Sequence, residues 1–275
     1  MSQYYLLRME FCYIYYILYY YFILPKNEKG EIIMRFIIKL KSKKCIKFKR
    51  GFRREIQKFL YSLLDEDKSK MLHDEGYKAK NSIYKLFSFS SFLENGKYDK
   101  ERAIFSFGNN VSFVVSSPIA WFSNQIINNI SKNDKYLIGP NLVIFDHISV
   151  CEVPVVDSNK IIIKTISPIE THITENKKTI YFEPDSIEFK RIINSNLKKK
   201  WMAFHNKECG FDIKISKLNE CRKTVATFKG IYINSWNGSF ILEGPKEFLR
   251  FAFDVGLGSR NSSGFGMIKL ENGEG

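Results

Sequence analysis

The feature that most restricts this chain is the order in which two hydrophobic periodicities follow one another along it. Met34–Lys41 (MRFIIKLK) alternates, with Phe36, Ile38 and Leu40 on one face and Arg35, Lys39 and Lys41 among the rest, as a half-buried strand does. The basic stretch Lys43–Arg54 leads into a segment where Ile56, Phe59, Leu60, Leu63 and Leu64 recur at helical spacing, so one helix face is buried. That helix ends in the charged run Asp65–Lys70, followed by a short turn or helical cap at Met71–Gly76. Leu86–Phe92 alternates as a strand, and Glu101–Ser116 reads as two short strands around Gly108-Asn109-Asn110, a hairpin signal. Pro118–Ile130 is a second helix with Ile119, Phe122, Ile126, Ile127 and Ile130 inward, and Leu142–Val150 is a closing strand. The order β-α-β-β-α-β is the split βαβ, or ferredoxin-like, unit.

The second half repeats the order without repeating the sequence. Ile161–Ile166 is a strand ending at Ser167-Pro168, and Asp185–Asn206 is a long helix capped by Asp185. Phe211–Leu218 and Thr224–Ser235 are expected to pair as strands. Pro245–Asp254 is a helix opening at proline, as a first helical position allows, and Met267–Leu270 is the last strand. The expected fold class is therefore α+β, two tandem ferredoxin-like (RRM-like) βαββαβ domains. They are assigned to residues 34–152 and 153–275 and joined near Glu152–Asn159.

Residues 1–33 do not fit this plan and are read as an N-terminal extension. Their uncharged apolar part, Phe11 to Leu24, is shorter than the about 20 residues a spanning helix needs. They lack the basic start and small-residue cleavage site of a signal peptide. The favoured expectation is that translation starts at Met34; a Tyr-rich membrane-contacting helix, or an extra helix packed on the domain, are the alternatives.

Composition narrows function further. With 43 Lys and Arg against 29 Asp and Glu, the net charge is +14, which suits a polyanionic partner, nucleic acid or an anionic membrane face. The five cysteines, Cys12, Cys45, Cys151, Cys209 and Cys221, are scattered with no CxxC, as expected for a reducing cytoplasm. Four histidines and no HExxH give no metal site, and no cofactor is expected. Between Pro245 and Leu270, Gly256, Gly258, Gly264 and Gly266 crowd a short segment between a helix and a strand. The dinucleotide fingerprint fails there because Asn261 stands at its third glycine and the elements are reversed, and the Walker pattern is absent. Such a loop either offers N–H groups as an anion-binding nest, with Arg260 adding charge, or only ends a helix and shapes a turn.

The segment GLGSRNSSGFGMIKL, Gly256–Leu270, resembles the C-terminal signature of the CRISPR repeat-processing endoribonuclease family, the sixth Cas protein family of the RAMP superfamily. Met34–Lys41, KTISPI at Lys164–Ile169 and FKGIYINS at Phe228–Ser235 are similar to the family's first strand, Ser-Pro segment and second-domain hairpin. The resemblance spans about residues 34–272 and leaves the first 33 unmatched. It implies metal-independent RNA cleavage, in which a 2′-OH attacks the adjacent phosphate to leave a 2′,3′-cyclic phosphate and a 5′-OH. It also implies roles by local setting: His73 (in MLHDEG) as general acid or base, Tyr61 (in FLYSLL) positioning or sharing proton transfer, and Lys85 (in KLFSFS) stabilising negative charge. Lys78 and Lys80 are substitutes for Lys85. His147, His172 and His205 match no family position and are read as structural or solvent-facing.

Most of the net charge falls between residues 35 and 102, so RNA binding should depend steeply on salt, and the family resemblance implies CRISPR repeat RNA as the partner. Candidate contacts are Lys43, Lys44, Lys47, Lys49, Arg50, Arg53 and Arg54, the glycine segment with Arg260, and the run Lys198-Lys199-Lys200. Gly264–Leu270 only partly matches an RNA-recognition strand, having Met267 at an aromatic position, so no base stacking is expected there. Two rival classes remain: a non-catalytic RAMP subunit of an effector complex, which would bind the repeat without cutting it, and a membrane-associated protein using residues 4–24. Other Cas effector subunits and a homodimer are left open as partners.

Overall fold

The computed structural model describes residues 34–151 and 156–271; the readings placed on residues 1–33 lie outside them. The first sheet is built from β1 (Met34–Lys41), β2 (Ser88–Phe89), β3 (Asn110–Ser117) and β4 (Asn141–Val150), in the order β2-β3-β1-β4. A further strand, Lys135–Ile138, pairs with the free edge of β4. All pairings are antiparallel, with Ile38 opposite Phe113 on one side and Ile148 on the other. Helices α1 (Arg53–Ser62) and α2 (Ala120–Ile130) cover one face. Phe59 meets Phe113 edge-on with ring centroids 6.2 Å apart, and Phe87 stacks on Phe122 at 4.7 Å. The amphipathic spacing read from α1 is thus the core face: Ile56, Phe59 and Leu60 are buried. The helix stops at Ser62, and Leu63 and Leu64 are buried beyond it.

The second sheet repeats the topology with β5 (Lys160–Thr165), β6 (Lys214–Lys217), β7 (Ser239–Glu243) and β8 (Ile268–Leu270), in the order β6-β7-β5-β8. Helices α3 (Ile187–His205) and α4 (Lys246–Val255) supply its apolar cover, with Phe189 stacked on Phe240 at 6.1 Å and Trp201 edge-on to Phe248 at 5.7 Å. The two halves are the expected pair of ferredoxin-like folds. No helix among the described residues is long and apolar enough to cross a membrane.

Four local expectations are corrected. The strand expected over Leu86–Phe92 shrinks to Ser88–Phe89, because both of its faces are covered and Leu86 turns through a positive φ of 51°. Gly108 does not turn a hairpin between Ile104–Ser106 and β3. Ile104–Ser106 pairs with Lys47–Lys49 and Lys97–Asp99 in a separate small sheet, while the Gly108 and Asn109 carbonyls accept from Ile46 and Ser42. Asp185 does not cap α3; the Ser186 hydroxyl does, accepting from the Phe189 N–H at 3.2 Å. Phe211–Leu218 and Thr224–Ser235 do not pair. Lys214–Lys217 pairs with β7, and Arg222–Phe228 folds back on Ile231–Asn237 as a hairpin of its own. Its two-residue loop, Lys229-Gly230, has positive φ at both positions, the turn whose twist matches paired strands.

The halves meet across the sheet face that α1 and α2 leave open. Arg35 on β1 is 7% exposed and donates to the carbonyls of Ile268 and Phe253 at 2.8 and 2.9 Å. Burial lowers its pKa, and burial pushes neighbouring Asp254 up to about 6 against the opposing charges of Arg35 and Arg250. The glycine segment closes the joint. Leu257 N–H donates to Gly266 at 2.8 Å, Gly266 N–H to Pro168 at 2.9 Å, and Ser259 N–H to Glu170 at 2.8 Å. A Cβ on Gly266 would overlap the Leu257 carbonyl oxygen, and one on Gly258 the Glu170 carbonyl oxygen. Gly266→Ala should therefore lose more than about 3 kcal/mol in denaturant unfolding. Gly210→Ala, where a Cβ would meet nothing within 4 Å, should stay within about 1 kcal/mol of the parent.

Candidate active site

After α1 the chain makes a short helix, Glu66–Lys70, and then a π-turn, Met71–Glu75. Gly76 ends the turn at φ 57°, its N–H closing on the Met71 carbonyl at 2.8 Å. A side chain at Gly76 would strike Ile83 and the Tyr84 carbonyl, so the sharp return to the hairpin at 77–84 needs glycine. The π-turn buries Leu72 and leaves His73 facing out, over the last turn of α1.

Three expected site residues come together here. The Tyr61 ring lies edge-on to the His73 imidazole, centroids 5.8 Å apart. The Lys85 ammonium donates to the His73 backbone carbonyl, whereas Lys78 and Lys80 are exposed on the hairpin. His73 Nδ1 lies 2.7 Å from Asp74 Oδ1, which leaves Nε2 for another partner. Asp74 is held below the usual carboxylate range, chiefly by that hydrogen bond. Burial, with Asp74 beside it, raises the Tyr61 phenol well above its ordinary value, so it remains a proton donor at neutral pH. Burial lowers Lys85, with Asp74 opposing.

Tyr61, His73 and Asp74 line an open pocket of about 590 Å³, whose other walls include Arg54, Lys58, Lys70 and Lys229. The basic walls favour a phosphate. Among the described residues, no three His, Cys, Asp or Glu side chains gather as a metal-ligand set.

The predicted basic contacts do not form one surface. Of the seven between residues 43 and 54, Arg54 reaches this pocket. Lys43, Lys44 and Lys47 line a groove with Lys135, Leu142 and Ile144. Lys49 is exposed on its short strand, and Arg50 stacks over Tyr98 with its Cζ 5.0 Å from the ring centroid. Arg53 turns inward: its Nε donates to the Gly264 carbonyl at 3.3 Å, its guanidinium lies over Phe265, and burial lowers its pKa to about 10.

Much of the glycine segment's backbone also turns inward. The N–H groups of Gly256, Leu257, Ser259, Ser263, Gly264 and Gly266 are spent on protein carbonyls. Arg260 faces the buried Glu170 carboxylate at 3.9 Å, although it also lines a second cleft with Lys85 and His172. Lys200 is the largest departure. It is 4% exposed, and its ammonium donates to the carbonyls of Gly256 and Gly258 at 2.8 and 3.0 Å and to Asn261 Oδ1 at 2.5 Å. It braces the glycine segment from behind and is not an RNA contact. Of the other histidines, His147 is exposed beside Asp146, His172 pairs with Glu170 at 2.5 Å, and His205 stacks on Trp201 at 3.9 Å.

Comparison with known proteins agrees with this architecture. Residues 151–270 match the family model described as CRISPR associated protein Cas6, C-terminal. The chain is 26% identical over 191 residues to the CRISPR-associated endoribonuclease Cas6 1 of Methanocaldococcus jannaschii, covering 67% of this chain and 73% of that protein. Over 188 residues it is 25% identical to the CRISPR-associated endoribonuclease Cas6 of Pyrococcus furiosus, covering 68% and 71%. The second half of the chain thus matches the Cas6 C-terminal family, and about two thirds of the chain is similar to Cas6 endoribonucleases. A solved structure described as the characterisation of a Cas6-related gene from Pyrococcus furiosus superposes with a TM-score of 0.75 at 20% identity, covering 88% of this chain and 100% of that one. At that identity the likeness is one of fold.

Lys58, Lys70, Asp74 and Lys229 are pocket residues that sequence reasoning missed. Asp74 reads in sequence as a solvated neighbour of His73, and the Lys-Gly pair between two alternating runs was the available sign of the hairpin that brings Lys229. The buried ammonium of Lys200 gives a separate prediction. Burial draws its pKa down to about 7, and its three hydrogens match three oxygens. Lys200→Met leaves those oxygens unpaired and should cost about 3–5 kcal/mol in thermal or denaturant unfolding. Lys199→Met, on the same helix, should cost under about 0.5 kcal/mol.

Proposed function

We propose that this chain is a metal-independent endoribonuclease that cuts CRISPR repeat RNA into guide RNAs. The cut leaves a 2′,3′-cyclic phosphate and a 5′-OH. The observation that carries the reading is the His73 imidazole, held at Nδ1 by Asp74 and set edge-on to Tyr61 in a pocket with basic walls. The names of the curated relatives supply the substrate class.

The nucleophile belongs to the substrate, so the protein need not activate water. The 2′-oxygen forms a bond to phosphorus as its proton leaves, the P–O5′ bond breaks, and a proton is delivered to the departing 5′-oxygen. His73 Nε2 takes or gives one of these protons. Asp74 holds the ring and stabilises its charged form, as the third member of a catalytic triad orients its histidine. Tyr61, kept neutral, donates from the pocket's inner wall. Lys85 anchors the His73 backbone and offers its remaining hydrogens to the phosphate, whose negative charge grows in the transition state.

A labelled transcript bearing the host's CRISPR repeat, incubated in EDTA, tests this. The wild-type chain should cut at one site and leave a cyclic phosphate. His73→Ala should lower the rate by about 10²–10⁴-fold, and Tyr61→Phe and Lys85→Ala by about 10–10²-fold, with repeat binding kept. Binding with no cut by the wild type would favour a non-catalytic RNA-binding subunit. Unchanged cleavage by His73→Ala would remove the site assignment.

A further inference from the structure

The tip of the second half's hairpin enters a pocket otherwise built by the first half. Arg222–Phe228 and Ile231–Asn237 pair in full register, with Phe228 opposite Ile231, so only Lys229 and Gly230 form the loop. Lys229 has φ 49° and Gly230 φ 79°. Such a turn prefers Asn, Asp or Gly at its first position, because a side chain with φ above zero is strained. Lysine there brings a local cost with no packing return, since Lys229 is exposed. Lys229 does, however, line the pocket of Tyr61, His73, Asp74 and Arg54.

The tip is held in place by the body of the hairpin. Phe228, Ala226 and Ile233 are buried against Phe265 of the glycine segment. Trp236 and Ile169 exchange both backbone hydrogen bonds at 2.8 Å, and the Tyr181 hydroxyl donates to the Tyr232 carbonyl at 3.2 Å. A Cβ on Gly51, just before α1, would lie 3.2 Å from the Thr227 carbonyl oxygen, so the hairpin lies closely on the start of the helix that carries Tyr61. Strain at an exposed residue, on a firmly seated turn, at the mouth of an open basic pocket, is the pattern of a functional side chain.

We infer that Lys229 is a catalytic residue supplied by the second half: its ammonium touches the phosphate being cut and stabilises the charge that builds on its non-bridging oxygens. The inference rests on the proposed endoribonuclease reading and makes the site composite. Neither half then holds the complete set of groups.

The turn's own preference supplies a clean test. Lys229→Asn removes the charge but suits a positive φ better, so this variant should fold at least as stably as the parent. Single-turnover cleavage of the repeat transcript at saturating enzyme should fall by about 10²-fold, while repeat affinity changes little and the melting temperature stays equal or rises. Lys229→Arg should keep an intermediate rate. The inference is overturned if Lys229→Asn cuts within about twofold of wild type at saturation. It is equally overturned if only affinity falls, which would make Lys229 a uniform phosphate contact. A wild-type chain that never cuts the repeat while Lys229→Asn weakens its binding would instead overturn the endoribonuclease reading, and with it a catalytic role for Lys229.

Discussion

Two stretches of backbone touch with no side chain between them, and the joint between the halves depends on that approach. Gly266 lies so close to the Leu257 carbonyl that a Cβ would overlap it, and a Cβ on Gly258 would overlap the Glu170 carbonyl, though less tightly. Hydrogen bonds from Leu257, Ser259 and Gly266 cross the contact, and the Lys200 ammonium fills the space behind it. The first half grips the same segment through Arg53 on Gly264 and Gln57 on Ser262. The glycines are therefore best understood as packing residues. They let a knot of chain become thin enough for two domains to share it.

That knot places chemistry at a distance. Arg53 and Gln57 are on α1, the helix whose far end presents Tyr61 to His73. Phe265, inside the knot, seats the hairpin whose tip is Lys229. One rigid element thus orients an aromatic donor from one half and a cation from the other. The glycine segment and the proposed catalytic pocket elsewhere in the fold are connected by contacts and need not share a ligand.

Much of the architecture was legible in the sequence, because core formation writes its period into it. The strand at Met34–Lys41 is found where alternation puts it, and the 3.6 period of Ile56, Phe59 and Leu60 marks the face of α1 that is buried. Pairing partners were less legible. Gly108 signals a turn, but the strands on either side of it pair with other strands and not with each other, and local turn chemistry carries no information about that choice. In sequence Lys200 reads as one of three lysines offered to RNA, although it falls on the stripe of Ile193, Leu197 and Trp201 that faces the core. A charge on an apolar stripe is a buried charge with partners to be found. Of the site, His73, Tyr61 and Lys85 were named through the family resemblance, and geometry brings them together. The Asp74 contact depends on the shape of a π-turn, and Lys229 on packing between halves; neither is a local property of the sequence.

The central claim is that the chain cuts RNA by arranging proton transfer and charge around a nucleophile the substrate carries. The most direct measurement replaces one ribose, that on the 5′ side of the cut, with its 2′-deoxy form in the repeat transcript. The account predicts binding at the affinity of the unmodified RNA and no cleavage at that phosphate in EDTA. Cleavage of the deoxy-substituted site would mean that another nucleophile attacks, and would contradict the account.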